Sequence, residues 1–528
     1  MAGIYIHIPF CSSRCIYCDF FSTTQAGKRA AYVDALCREI ASDDLPATPA
    51  DMRVRTIYIG GGTPSLLTAD QLERILQAIH QRFDVAPDAE ITLEMNPDDV
   101  SHSPFVIRHS SLVISHSSFP ISHSSSPSGG SQGASSFPIS HSSSPSGGSQ
   151  GASSLVISHS SFPNRISLGI QSFHDPLLRF LRRRHDAETA INAVGQLQEA
   201  GIHNISIDLI YGLPGQTMEL WQRDLDIAFS LGIQHLSAYA LSYEEGTALW
   251  HMRQQGSICE TDEETMVNMY ELLCQRAQAA GFDHYEISNF ALPGFQSRHN
   301  SSYWTGTPYL GFGPGAHSYD GLSTRWSNHP DLDTYLAYWG SPTAATPASN
   351  AAPAAPTAAT PAGSVAPTAP TVATPAGNAT PTAPTAATPA GSVAPAAPTV
   401  ATPAGSAAPA APTVATFAGS ATPTAPTVAT PAGRVAGGFP AGSPSPRSIE
   451  HLTEAERYDE FVMCGLRTRQ GIDLEALEAR FGHQRHAYLL RMAAPHLNAG
   501  TLALSGHHLH LTQKSLMTSD DVMSDLMA

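Results

Sequence analysis

Three cysteines, Cys11, Cys15 and Cys18, stand within eight residues of one another, just after a short apolar run at Ile4 to Ile8. Three thiolates on one tight loop can hold three irons of a 4Fe-4S cluster and leave the fourth iron open to another ligand. A zinc site would want a fourth Cys or His. His7 is the nearest, but alternation along a strand makes it equally a packed or hydrogen-bonding residue. Phe10, Ile16, Tyr17, Phe20 and Phe21 would keep water from a redox centre, so spacing, position and neighbours favour a cluster over zinc. A second feature is Gly60-Gly61-Gly62-Thr63-Pro64. Glycines let a backbone approach a ligand closely, although such a run also serves as a tight strand-to-helix turn. The third is His299-Asn300-Ser301-Ser302-Tyr303-Trp304. A His beside aromatic rings suits axial ligation and stacking of a heme, yet residue types alone fit a buried, hydrogen-bonded His at a domain seam better. Cys37, Cys259, Cys274 and Cys464 are scattered, and small core residues are the default for them.

These groups need elements to position them. Predicted strands are Ile4 to Ile8, Val54 to Ile59, Ile91 to Glu94, Ile166 to Ile170, Ile205 to Ile210 and Leu236 to Leu241. Predicted helices are Lys28 to Asp43, Ala69 to Phe83, Asp175 to Arg182, Ala187 to Ala200, Glu219 to Leu231 and Glu263 to Ala280. Their alternation implies parallel βαβ units, an α/β class, and an open or closed barrel whose site lies at the C-terminal strand ends. Beyond residue 447, Thr453 to Leu466, Leu474 to Phe481 and Arg485 to Asn498 read as helices, and 501 to 504 and 508 to 511 as a hairpin, a small α+β module of winged type.

The chain has 528 residues, of which only 14% are charged, and charge is missing from two stretches. Residues 101 to 163 contain one charged residue, Arg108, and residues 341 to 447 contain two, Arg434 and Arg447, with 22 of the 41 prolines. In the first, residues 119 to 136 recur unchanged at 137 to 154, and each unit offers only Phe, Ile and Ala as apolar groups. That cannot build a solenoid core, so disorder is expected, with its six histidines solvated rather than ligating metal. The second repeats Ala-Thr-Pro-Ala-Gly every 14 residues, and its prolines predict an extended linker. The remaining 358 residues carry a net charge of −20, a poor match for a nucleic-acid backbone. No transmembrane run and no basic, apolar leader is present, and clustered free thiols fit a reducing cytoplasm.

The segment IYIHIPFCSSRCIYCDFFS resembles the signature of radical S-adenosylmethionine (radical SAM) proteins, and the wider pattern resembles the branch holding oxygen-independent coproporphyrinogen III oxidase and the HemW heme chaperones. The resemblance implies a partial (β/α)6 TIM-type barrel. It also implies a cluster on Cys11, Cys15 and Cys18 whose open iron is chelated by S-adenosylmethionine, which one electron then cleaves to an adenosyl radical. It assigns cofactor contacts to Gly61, Gly62 and Thr63, to Glu94, Gln171, Arg183 and Asp208, and less distinctively to Tyr5, Tyr17, Ala240 and His317. Taken singly, each of the strand-end residues passes for a cap or a surface group. It links His299, Asn300, Tyr303 and Trp304 to heme, with Gly311 to Ser318 following as in that family.

Two functions follow. One is a heme chaperone that hands heme to an acceptor haemoprotein; the other is oxidative decarboxylation of coproporphyrinogen III. The oxidase pattern continues as CxxxCxxCxC, but Phe20 stands two residues after Cys18; it also carries an N-terminal extension, whereas three residues precede Ile4 here. With HNxxYW as the positive mark, the chaperone is favoured. The expected organisation is a barrel at 1 to 100 and 164 to 340 with a heme-binding region near 299 to 318, disordered inserts at 101 to 163 and 341 to 447, and a C-terminal module and tail at 448 to 528. Expected partners are heme, an unidentified acceptor and an unidentified electron donor; peripheral membrane association stays open. The first insert stands where the family carries a barrel helix, so apolar surface on neighbouring strands is expected to be exposed.

Overall fold

The computed structural model describes residues 2–46, 52–102, 162–340 and 447–528. Both repeat tracts fall almost wholly outside the described residues. Six parallel strands form the centre: β1 (Ala2–Ile8), β2 (Arg53–Gly61), β3 (Asp84–Met95), β4 (Arg165–Gln171), β5 (Ile205–Tyr211) and β6 (His235–Ala240), each beside the next in chain order. Period-two alternation gives this sheet two different faces. Ile6, Ile59, Leu93, Ile166 and Ile205 form one apolar row in register. They pack with Leu36, Ile75, Val194, Leu197, Trp221 and Leu225 of the crossover helices Arg29–Ala41, Ala69–Arg82, Ala187–Glu199 and Met218–Ser230. The opposite face is polar, with buried Tyr5, Tyr58, Thr92 and Arg165 in one row and half-buried Glu94 with buried Ser167, Ser206 and His235 in another. Helix starts are locally encoded: Thr68 and Gln71 form a capping box, and Asp186, Thr217 and Asp262 each accept a first-turn amide.

The sheet continues at both ends. Antiparallel β7 (Asp283–Glu286) and β8 (Asn289–Ala291) follow β6; β9 (Tyr309–Phe312) lies parallel to β1, and β10 (His317–Tyr319), β11 (Thr324–Asn328) and β12 (Arg447–His451) extend that edge. Among the described residues, twelve strands thus make one mixed sheet that runs from β12 to β7 without closing on itself, an open rather than a closed barrel. β12 pairs with β11 from Arg447↔Asn328 to His451↔Thr324. The segment 447 to 451, which the sequence divides between linker and C-terminal module, is therefore an edge strand of the barrel sheet.

The expected exposure beside the first insert is not observed. β3 and β4 pair directly, and Ile91, Leu93, Ile166 and Leu168 are at most 1% exposed. A one-turn helix, Pro97–Val100, follows β3, and its Pro97 and Val100 are buried.

The C-terminal module has its own core of Tyr458, Val462, Leu477, Leu489 and Leu509. Helices Glu454–Arg467, Leu474–Ala499 and Ser519–Leu526 surround the three-stranded sheet of β13 (Ile472–Asp473), β14 (Leu502–Ser505) and β15 (His508–Leu511). Gly482, with φ 81° and ψ 169°, breaks the long helix where the sequence predicts two. No described helix is long and apolar enough to cross a membrane.

Candidate functional site

Cys11, Cys15 and Cys18 sit on the loop between β1 and helix Arg29–Ala41. The neck of this loop is tied by Cys11 N–H donating to Thr23 O at 2.9 Å and Thr23 N–H to Pro9 O at 2.6 Å. Its middle is seated by Ile16, which packs among Leu177, Leu181, Ile210 and Leu249. One cavity at the C-terminal strand ends is lined by all three cysteines together with Tyr17, Gly61, Gly62, Thr63, Glu94, Gln171, Arg183, Asp208 and Ala240. The structure thus gathers most of the residues expected there. Tyr5 and His317 are not part of the lining: Tyr5 is buried with its hydroxyl 3.0 Å from His7 Nδ1, and His317 is exposed on β10.

The donor set suits a cluster better than a single ion. His7 is committed elsewhere, with Nε2 2.9 Å from Phe21 O, and among the described residues no histidine or fourth cysteine lines the cavity. Burial pushes the Cys11 thiol up and the Cys18 thiol up to about 12, which makes thiolates at these two positions favourable only beside bound positive charge. Arg183 supplies part of it, with Nη1 3.3 Å from Cys15 Sγ and Nη2 on Asn96 Oδ1 at 2.6 Å.

The glycine run fits tightly under the cysteine loop. A Cβ on Gly62 would meet Phe10 O at 2.7 Å and Ile8 O at 2.8 Å, and one on Gly61, at φ 106°, would meet the His7 ring at 2.6 Å. Glu94 holds the run in place, accepting from Gly61 N–H at 3.0 Å and from the Tyr58 hydroxyl at 2.7 Å. One buried group lacks a protein partner, and a second is a strongly desolvated carboxyl. Gln171 is buried at the end of β4 in the left-handed region, φ 74°, where a non-glycine residue is strained, and its Oε1 has no partner among the described residues. Asp208 is buried beside Ser167 at 3.3 Å, and desolvation pushes its carboxyl up to about 7 against the pull of Ser237, Arg165 and Ser167. An orphaned amide oxygen and a desolvated carboxyl are what a polar, hydrogen-bonding cofactor would complete. Ser167 and Asn96 were not singled out from the sequence; the signal for Asn96 was its place two residues after Glu94.

The HNxxYW segment is a short helix, Arg298–Trp304, with Ser297 and Glu90 accepting its first amides. His299 is 1% exposed, its Nδ1 lies 2.9 Å from Thr56 Oγ1 and its Nε2 2.9 Å from the Tyr303 hydroxyl, and its ring stacks on Tyr58. Burial lowers its imidazolium to about 3, so the ring is neutral. Both nitrogens are therefore used inside the protein, the bland alternative that the residue types offered. Tyr303 and Trp304 instead line a second cavity of about 710 Å³ between the barrel extension and the C-terminal module, and His299 and Asn300 do not.

Fold and site together define a radical SAM protein: residues 157–228 match the Radical SAM superfamily and residues 452–517 the HemN C-terminal domain. The chain is similar to the heme chaperone HemW of Lactococcus lactis, 35% identical over 63% of this chain and 73% of that one. It is likewise similar to HemW of Bacillus subtilis, 32% identical over 64% and 75%. The chain belongs to the HemW family. Its fold is also that of the solved coproporphyrinogen III oxidase HemN of Escherichia coli, with a TM-score of 0.61 at 17% identity over 100% of this chain and 90% of that one.

Proposed function

We propose that the protein is a cytoplasmic heme chaperone that carries a 4Fe-4S cluster and an exchangeable S-adenosylmethionine, binds heme and delivers it to a haemoprotein acceptor. Membership of a family whose curated members are named heme chaperones carries this reading. When bound, the cluster supplies an electron and an open iron site. The chain's own residues do the rest. Cys11, Cys15 and Cys18 would hold the iron; Arg183 offsets thiolate charge at Cys15; Glu94 fixes the Gly61 amide; Gln171 offers an unpartnered amide oxygen and Asp208 a desolvated carboxyl to orient the nucleoside. Tyr17, Gly62, Thr63 and Ala240 line the same space. His299, Asn300, Tyr303 and Trp304 form the heme-linked motif. Phe20, also in the lining, fills the position where the oxidase pattern has its further cysteine, so a ring rather than a thiol faces the cavity.

Anaerobic reconstitution is expected to give about four irons per chain. Changing Cys11, Cys15 and Cys18 together to Ala should abolish this, and iron retained by that variant would remove the cysteines from the role.

A further inference from the structure

We infer that heme is seated in the seam cavity between the barrel extension and the C-terminal module, and that His299 acts on it through Tyr303 as a positioning residue rather than as the iron ligand. This rests on the chaperone reading and adds the location. At about 710 Å³ the cavity falls within the range of organic-ligand pockets. Aromatic rings from both sides bound it: Tyr303, Trp304 and Tyr309 from the barrel extension, and Phe461 from helix Glu454–Arg467. Such walls suit a large planar macrocycle.

The lining is net positive. Arg325, Arg457, Arg469 and Arg480 outnumber Glu460 and Asp473, with Arg469 also meeting Asp283 at 3.7 Å, and a cationic lining suits the propionates of a heme. Glu460 is already paired with Arg325 at 2.6 Å. Guanidinium groups are the side chains best shaped for carboxylates. The cavity also holds polar groups that the protein leaves unsatisfied. Tyr309 is 3% exposed and its hydroxyl has no hydrogen-bond partner among the described residues; the same holds for Trp304 Nε1 and Arg457 Nε. An unpaired buried hydroxyl costs stability unless a ligand completes it.

The motif histidine reaches this space indirectly. Its Nε2 fixes the Tyr303 hydroxyl at 2.9 Å, and the Tyr303 ring packs edge-on against Tyr309 with centroids 4.8 Å apart. Loss of His299 would release an aromatic wall without removing a ligand from the iron.

The test is anaerobic hemin titration, followed by absorbance, of the full chain with its cluster reconstituted. Tyr309→Phe should be at least as stable to urea as the wild type, since it loses an unsatisfied hydroxyl, yet bind hemin at least tenfold more weakly. Arg457→Gln with Arg480→Gln should also lose at least tenfold, with cluster iron unchanged. His299→Asn should bind more weakly while the hemin spectrum of the fraction bound keeps its wild-type form. If the wild type binds hemin and the Tyr309 and arginine variants bind it equally well, the seam is not the seat, although the chaperone reading stands. A changed iron spectrum in His299→Asn would overturn the positioning role. A wild type that takes up no hemin overturns both the chaperone reading and the site.

Discussion

Arg447, at the end of a proline-rich tract, reads from the sequence as one more linker residue, yet it is buried. Its guanidinium meets Glu39 at 3.3 Å and Asn328 Oδ1 at 3.2 Å and lies over the Trp339 ring. Glu39, fully buried, also accepts from Gly313 N–H, Asn328 and the Tyr335 hydroxyl, so one carboxylate ties helix Arg29–Ala41 to the β9–β12 extension. Removing one member of a buried pair leaves an uncompensated charge. Arg447→Met should cost about 3 kcal/mol in urea unfolding, the lower end of the usual range because Glu39 keeps three other donors. A loss below about 1 kcal/mol would contradict the pairing argument. Asp208 gives a second prediction at this scale. With its carboxyl raised to about 7 by burial, the free protein holds a proton there that a donor hydroxyl of the bound nucleoside must displace. Affinity for S-adenosylmethionine should therefore rise with pH, by about tenfold from pH 6 to pH 8, and Asp208→Asn should flatten the profile. Affinity that falls over that range would refute the assignment. None of this was legible from residue types: a buried arginine and a desolvated aspartate depend on what surrounds them, and only the spacing of the three cysteines declared itself directly.

At the scale of elements, the six central strands and their helices were legible because both faces of each strand are buried, and β-branched runs such as Ile4 to Ile8 announce that. The extension strands were not. β12, at the sheet edge, is Arg-Ser-Ile-Glu-His with only its first residue buried, and an edge strand needs no apolar alternation; β10, an inner strand, is three residues long, too short to leave a periodic trace. The HNxxYW helix, at seven residues, is likewise too short for a periodic signal, and its place at a seam emerged from the tertiary structure. Gly482 is the converse case, a break that the sequence did show. Its conformation belongs to the region open almost solely to glycine, and nothing lies within 4 Å of where a Cβ would stand. Gly482→Ala should thus cost about 1 to 3 kcal/mol through backbone strain alone, read from urea unfolding of the full chain. No measurable loss would mean that the long helix straightens at little cost.

For the whole molecule, the second tract joins two points that already lie together. Arg38 donates to the carbonyls of Trp339 and Gly340, and Arg447 covers the Trp339 ring at 5.2 Å. Replacing residues 341 to 446 with about eight Gly and Ser residues should raise stability by about 2 kcal/mol, at roughly 0.6 kcal/mol for each halving of the connection. Lost stability would instead show that the tract contributes contacts of its own. The inserts dilute the averages of the whole chain, but the barrel and the module are described as one body with its own clusters of buried residues.

The central claim, binding of heme rather than conversion of a porphyrinogen, is tested most directly by one anaerobic incubation. The reduced, cluster-loaded protein is given S-adenosylmethionine, coproporphyrinogen III and hemin together, and the tetrapyrroles are then resolved as bound and free. The account predicts about one heme bound per chain and coproporphyrinogen recovered unchanged. Protoporphyrinogen formed over many turnovers, with no heme retained, would contradict it.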